Sequence, residues 1–130
     1  MKEKIAKIQK AMGTLQRDGE GFNSNFASLN QILGKLDPLL EKHDIVLNFP
    51  IKVVGGVNVL QAEFIEGDKE YVLTEMALPN DVNSQHLGGA ITYFRRYLLV
   101  AFFNLQVEDD DGAKASKPEA NTKKDGGFEL

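Results

Sequence analysis

Cysteine is absent from the 130 residues and histidine occurs only twice. Without a thiol there is no disulfide framework, no thiolate zinc site and no cysteine nucleophile. His43 and His86 stand apart, with no HExxH spacing, so each reads as structural rather than as a ligand or base. A Walker A lysine loop and a G-x-G-x-x-G fingerprint are also missing, which leaves no mark of a nucleotide pocket. No apolar run approaches the roughly 20 residues of a membrane span. The opening "MKEKIAKIQKAMGTLQ" lacks the uninterrupted apolar centre of a signal peptide. The expectation is a soluble, cytoplasmic protein, not an enzyme, that uses no metal or cofactor.

What is present fits one modest domain, since 42% of the residues are hydrophobic. The net charge of −4 is unevenly spread. Residues 108–130 hold seven acidic and four basic groups, leaving twelve acidic and eleven basic in residues 1–107, and the first 17 residues set five Lys or Arg against one Glu. A basic front is compatible with a polyanion partner, although a basic amphipathic helix is more often just a solvated face.

Periodicity places the elements. Ile5, Ile8, Met12 and Leu15 recur at helical spacing and predict an amphipathic helix over residues 3–16. A second helix, capped by Asn25 or Ser28, carries Leu29, Ile32, Leu33, Leu36, Leu39 and Leu40 as far as His43. Pro38 within it predicts a kink or a break near Asp37. From Asp44 the period becomes two: Ile45, Leu47, Phe49, Ile51 and Val53 define one face of a strand, with Pro50 pointing to a sheet edge or bulge. Gly55 and Gly56 form a hairpin turn, Val57–Glu66 the second strand, "EGDK" another turn, and residues 70–78 the third. A long helix follows from about Gln85 to Asn104, with Leu87, Ala90, Ile91, Phe94, Leu98, Ala101, Phe102 and Leu105 as its apolar stripe and Gly88 and Gly89 explained as a helix start. The fold class is therefore α+β: N-terminal helices, then a three-stranded antiparallel β-meander packed against a long C-terminal helix, forming a core domain over residues 1–107. Residues 108–130 read as a disordered acidic tail, too poor in apolar groups to offset the cost of ordering.

The chemistry is concentrated in "GGAITYFRRYLLVAFFNLQVEDDDG", residues 88–112. Arg95 and Arg96 straddle one flank of the last helix, with Thr92 one turn earlier and Tyr93 and Tyr97 four residues apart beside them. Guanidinium forks suit phosphate oxygens, and tyrosine rings suit sugars, bases or a subunit contact. Lys52 and Lys69 could join them across the sheet. Alternatively Arg96 pairs with Glu63 or Glu75 on the strands below, and the tyrosines merely rim the core. The carboxylates Glu108, Asp109, Asp110 and Asp111 could bind Mg²⁺ in a nuclease, but sequential groups in a glycine-ended tail do not converge on an ion.

These residues resemble the C-terminal signature of the ERF (essential recombination function) family, bacteriophage proteins that bind and anneal single-stranded DNA. Its Gly-x-Ala-x-Thr-Tyr-x-Arg-Arg-Tyr helix and Asp-rich segment are matched by Gly88 or Gly89, Ala90, Thr92, Tyr93, Arg95, Arg96, Tyr97 and residues 108–112. A second block, "NFASLNQILGKLDPLLEKHDIVL", is similar to the family's Tyr-Ala-Ser-Leu opening, Pro-Leu-Leu helix and Lys-His-Gly-Leu exit. Here Phe26 stands for the tyrosine, Asp44 for the glycine, and Asp37 precedes the proline where a basic residue is common. The last helix also resembles the corresponding one in eukaryotic Rad-type annealing proteins.

The resemblance implies ATP-independent annealing of complementary strands in phage recombination, by rings or filaments of identical subunits in the bacterial cytoplasm. The strand would be held by its backbone, with Arg95 and Arg96 as main phosphate ligands, Lys52 and Lys69 as weaker ones, and Thr92, Tyr93 and Tyr97 in support. Further candidate partners are a phage or host single-strand-binding protein or exonuclease. A rival expectation is a single-strand-binding replication accessory protein that recruits partners through its terminal "GGFEL".

Overall fold

The computed structural model describes residues 1–18 and 26–108. Three helices and six strands follow one another as α1 (Lys2–Met12), β1 (Thr14–Leu15), α2 (Leu29–Lys42), β2 (Val46–Asn48), β3 (Ile51–Val54), β4 (Val57–Glu66), β5 (Lys69–Ala77), α3 (Ser84–Phe103) and β6 (Gln106–Val107). The fold is α+β with an antiparallel main sheet. Of the acidic tail expected over residues 108–130 only Glu108 is among the described residues; the rest, and the alternative cap Asn25, lie outside them.

The first helix stops earlier than its apolar period suggests. Gly13 takes φ 64, which leaves the helix after Met12, and Leu15 is buried from β1 instead. β1 pairs in parallel with β6, a two-stranded ladder that the periodicity did not reveal, and the Glu108 amide extends it by donating to the Leu15 carbonyl at 2.6 Å. Strands of two residues carry too little periodicity to be read.

The second helix runs unbroken across Pro38, so of the expected kink or break the break does not occur. Its apolar stripe, Ile32, Leu36 and Leu40, is buried on both sides of the proline, and that packing outweighs one missing helical hydrogen bond. Ser28 caps its start by accepting from the Gln31 amide at 3.1 Å. Its end closes with Ile45 N–H donating to Leu40 O and Asp44 N–H to Glu41 O, a Schellman arrangement that forces Asp44 to φ 56. The expected glycine would sit there without strain.

In the main sheet β4 is central, β2 and β3 run along one side, and β5 pairs along the other. The strand expected from Ile45 onward is split at Phe49 and Pro50, yet one register spans both pieces, from Leu47↔Phe64 to Ile51↔Leu60. Pro50 cannot donate, but its carbonyl accepts from Gln61 N–H at 2.9 Å, so the ladder is interrupted without slipping. The β3–β4 turn has Gly55 and Gly56 at φ 57 and 79, as a two-residue type I′ hairpin requires. A bulge between Ala62 and Glu63 shifts the β5 register.

One face of β4, through Leu60, Ala62 and Phe64, packs under the helices. The main core joins Ile8, Met12, Ile32, Leu36, Phe64, Leu99 and Phe103, and a smaller one joins Leu60, Ala62, Leu78 and Leu98 beneath the first half of α3. The buried line of α3 therefore ends on Leu98, Leu99 and Phe103, not on Ala101 as its stripe suggested, because α2 covers it from the side as well as the sheet. Phe64 and Phe103 are both fully buried, 6.0 Å apart between ring centroids; truncating either to Ala is expected to cost about 3–5 kcal/mol.

Candidate nucleic-acid interface

α3 is capped by Asn83, whose side-chain oxygen accepts from His86 N–H at 2.8 Å. Gly88 and Gly89 thus fall inside the helix rather than at its start. A β-carbon added at either would meet nothing within 4 Å, so internal packing does not require a glycine there. Each costs about 1 kcal/mol relative to alanine in a helix. One turn on, exposed Thr92 donates to the Gly88 carbonyl at 3.4 Å, and Tyr93 and Tyr97 are 42% and 41% exposed. Gly88, Thr92 and Arg96 recur every four residues, so they line one exposed flank of the helix.

Arg96 lies at the centre of that flank. Its guanidinium carbon is 4.1 Å from the centroid of the Phe26 ring and 5.1 Å from those of Tyr93 and Tyr97. The two tyrosine rings are 4.5 Å apart and their hydroxyls hydrogen-bond at 2.5 Å. That bond pushes the Tyr97 pKa above the usual phenol value, with partial burial adding to the effect. Stacking uses the flat faces of the guanidinium and leaves its in-plane N–H groups free to donate. Among the described residues Arg96 has neither a salt bridge nor a hydrogen bond.

The alternative pairing of Arg96 with Glu63 or Glu75 is thereby overturned. Register explains it: Glu63 and Glu75 alternate with Leu60, Ala62 and Phe64 in the ladder, so they face the side of the sheet away from α3. There Glu75 accepts from the Gln61 side chain at 2.7 Å.

Phe26 comes from the other end of the domain and is held by Asp18. The Asp18 amide donates to Phe26 O at 3.1 Å, while the Asp18 carboxylate accepts from the Ser28 amide at 2.7 Å and the Ser28 hydroxyl at 3.0 Å. Desolvation raises the Asp18 pKa, but the hydrogen bonds from Ser28 and Gln31 together outweigh it and leave the pKa lowered. Nothing in the spacing of Phe26 and Arg96, 70 positions apart, could announce this contact.

Arg95 points elsewhere. Its guanidinium carbon lies 5.0 Å from the Phe49 ring, and its Nε–H is buried with no hydrogen-bond partner. It lines a cleft of about 630 Å³ between α2 and β2, floored by Leu40, Leu47 and Phe49 and rimmed by exposed Asp37, Glu41 and Asp44.

Neither lysine joins the arginines. Lys52 opposes Val59 and therefore points to the face of the sheet away from α3. Lys69 opposes Glu66 at the β4–β5 turn, where Lys4 forms a salt bridge with that glutamate and its Nζ also donates to His43 O at 2.9 Å. The turn is four strand residues from Ala62, or about 14 Å along the strand. Asp109, Asp110 and Asp111 lie outside the described residues, and among those described no group of three metal-binding side chains assembles. No helix is long and apolar enough to cross a membrane among the described residues.

Fold and site thus define a small α+β protein with a cation braced by aromatic rings on an exposed helix flank. The family model described as the ERF superfamily matches residues 1–126, and the chain belongs to that family. No curated protein and no solved structure matches the chain.

Proposed function

We propose that the chain binds single-stranded DNA along the Gly88–Thr92–Arg96 flank of α3 and anneals complementary strands without ATP, in phage recombination and without bond chemistry. The observation that carries this reading is Arg96, held by Phe26, Tyr93 and Tyr97 with no carboxylate to neutralise it among the described residues. A phosphate oxygen can take its in-plane donors, and the two missing β-carbons let a sugar-phosphate chain approach the helix backbone closely. Tyr93 and Tyr97 offer ring faces to a base or sugar. Membership of the ERF superfamily supports the same reading.

The electrostatics assign different weights to the two arginines. Phosphates are drawn to the Arg96 flank and repelled by Asp37, Glu41 and Asp44 at the Arg95 cleft. Arg96 is then the principal ligand and Arg95 a secondary source of positive potential. Backbone contact supplies sequence-independent affinity, pairing supplies specificity, and repetition in a homo-oligomer multiplies a small number of cations per subunit.

The test is annealing of complementary labelled oligonucleotides by wild type and Arg96→Ala without nucleotide. Wild type is expected to accelerate pairing and the variant to lose most of that acceleration together with its binding. Binding that slows pairing would favour a protective single-strand-binding role, and unaltered binding by the variant would remove Arg96 from the site.

A further inference from the structure

Two surface features lack a partner among the described residues, and their chemistries match. The first is the β3–β4 hairpin. Ile51, Val53 and Val54 are 49%, 73% and 56% exposed, Lys52 lies among them, and β-carbons added at the Gly55 and Gly56 tip would meet nothing within 4 Å. A projecting apolar strand pair of this kind is costly to leave in water and marks an interaction site. The second is the cleft between α2 and β2, with its apolar floor, its three rim carboxylates and the buried, unpartnered Nε–H of Arg95.

We propose that the β3–β4 hairpin of one copy inserts into the α2–β2 cleft of the next, Val53 and Val54 meeting Leu40, Leu47 and Phe49 while Lys52 pairs with the Asp37, Glu41 and Asp44 rim. Charge complementarity selects this occupant: DNA would be repelled by the rim, and α1, although basic, has its apolar residues Ile8 and Met12 already buried. Within one subunit the hairpin cannot fill the cleft, because β2 forms the cleft wall and β3 continues away from it, carrying the tip about 20 Å beyond Phe49. Donor and acceptor surfaces therefore differ, the contact runs head to tail, and it closes into a ring or continues as a filament. Lys52 becomes a subunit contact instead of a DNA ligand, in keeping with its place away from Arg96.

Charge exchange tests this on the full-length chain, with mass measured by sedimentation velocity in the absence of DNA. Lys52→Glu alone and the double exchange Asp37→Lys/Glu41→Lys, which reverses the net charge of the rim, are each expected to shift the chain toward monomer by placing like charges at the contact. Mixed one to one, they should recover the wild-type mass, because every hairpin then has a cleft of opposite charge. Val53→Asp, at a position too exposed to affect folding, should lower the mass and gain nothing from mixing with either variant. A monomeric wild type, unmixed variants of wild-type mass, or a mixture that does not reassemble would each overturn the proposal. So would a Lys52→Glu variant that keeps its mass and loses DNA binding, since the hairpin would then be a DNA contact. Arg96→Ala should leave the mass unchanged, so failure of the assembly contact and failure of the DNA-binding reading are separately visible.

Discussion

Arg95 and Arg96 are neighbours in sequence, yet they occupy opposite electrostatic regions. One turns toward a cleft rimmed by three carboxylates, with its Nε–H buried and unpaired; the other sits among three aromatic rings on an exposed flank. A helix rotates about 100° per residue, which is enough to carry one guanidinium to each side of α3. A doubled arginine is therefore not a doubled site. What surrounds each cation decides whether a polyanion can reach it.

Removing each arginine separately should separate the two regions most clearly. A charge-assisted hydrogen bond to phosphate contributes about 1.5–3 kcal/mol, so Arg96→Ala is expected to weaken oligonucleotide binding by about 10- to 100-fold. It should also flatten the salt dependence, by about 0.7 in log–log slope for each phosphate that the variant no longer neutralises. Arg95→Ala should cost about threefold or less. Fluorescence anisotropy titrations at several salt concentrations measure both quantities, and equal losses would dissolve the distinction between the two regions.

A second effect separates function from stability on the Arg96 flank itself. Gly88→Ala and Gly89→Ala each fill open space in a helix interior, so each should stabilise the fold by about 1 kcal/mol, roughly 4–8 °C in Tm for a domain of this size. The same methyl groups should weaken single-strand binding, by about 5- to 10-fold if the backbone of the strand passes within contact distance of the helix. Thermal melts and titrations on the same samples decide the matter: added stability with unchanged affinity would mean that nothing approaches these glycines.

Much of this was legible in the residues. The Gly55–Gly56 pair, strand alternation and the stripe of α2 located the hairpin, the sheet and a capped helix, because each is a local signal. The resemblance of residues 88–112 and 25–47 pointed to the family that the match over residues 1–126 establishes. What escaped was non-local. Gly13 ended α1 early, packing carried α2 through Pro38, and the Phe26 stack on Arg96 joins residues 70 apart. The face on which Lys52 lies depends on the register with β4, and the acid rim of the cleft forms only when α2 and β2 are brought together. No periodicity within one segment encodes those relations.

Phe26 offers a finer test of how Arg96 is braced. A cation–π interaction contributes about 0.5–2 kcal/mol, so Phe26→Ala should lower DNA affinity by about 3- to 10-fold, while Phe26→Tyr, which keeps the ring, should restore it. The anchor behind it adds a pH dependence. The Asp18 pKa is lowered in the fold, so its stabilising effect is complete above the unfolded value near 4 and is lost as pH falls through the folded value. Below about pH 4 the stability of wild type should fall more steeply than that of Asp18→Asn, as measured by urea unfolding across pH 3–6.

The smallest expected effect belongs to the Arg95 side. Asp44 closes α2 at φ 56, a region that a side chain with a β-carbon enters only with strain, and it contributes one of the three rim carboxylates. Asp44→Gly removes both features at once. The strain relieved exceeds the extra freedom that glycine gains in the unfolded chain, so the variant should be more stable by about 0.5–1 kcal/mol in denaturant titrations. If the two regions are electrostatically separate, losing this charge should change oligonucleotide affinity by less than about twofold, because a solvent-exposed carboxylate beyond a Debye length of roughly 8 Å is screened at physiological salt. A larger gain in affinity would show that the cleft lies on the path of the strand, and that the acid rim acts on DNA directly instead of leaving the Arg96 flank to do so alone.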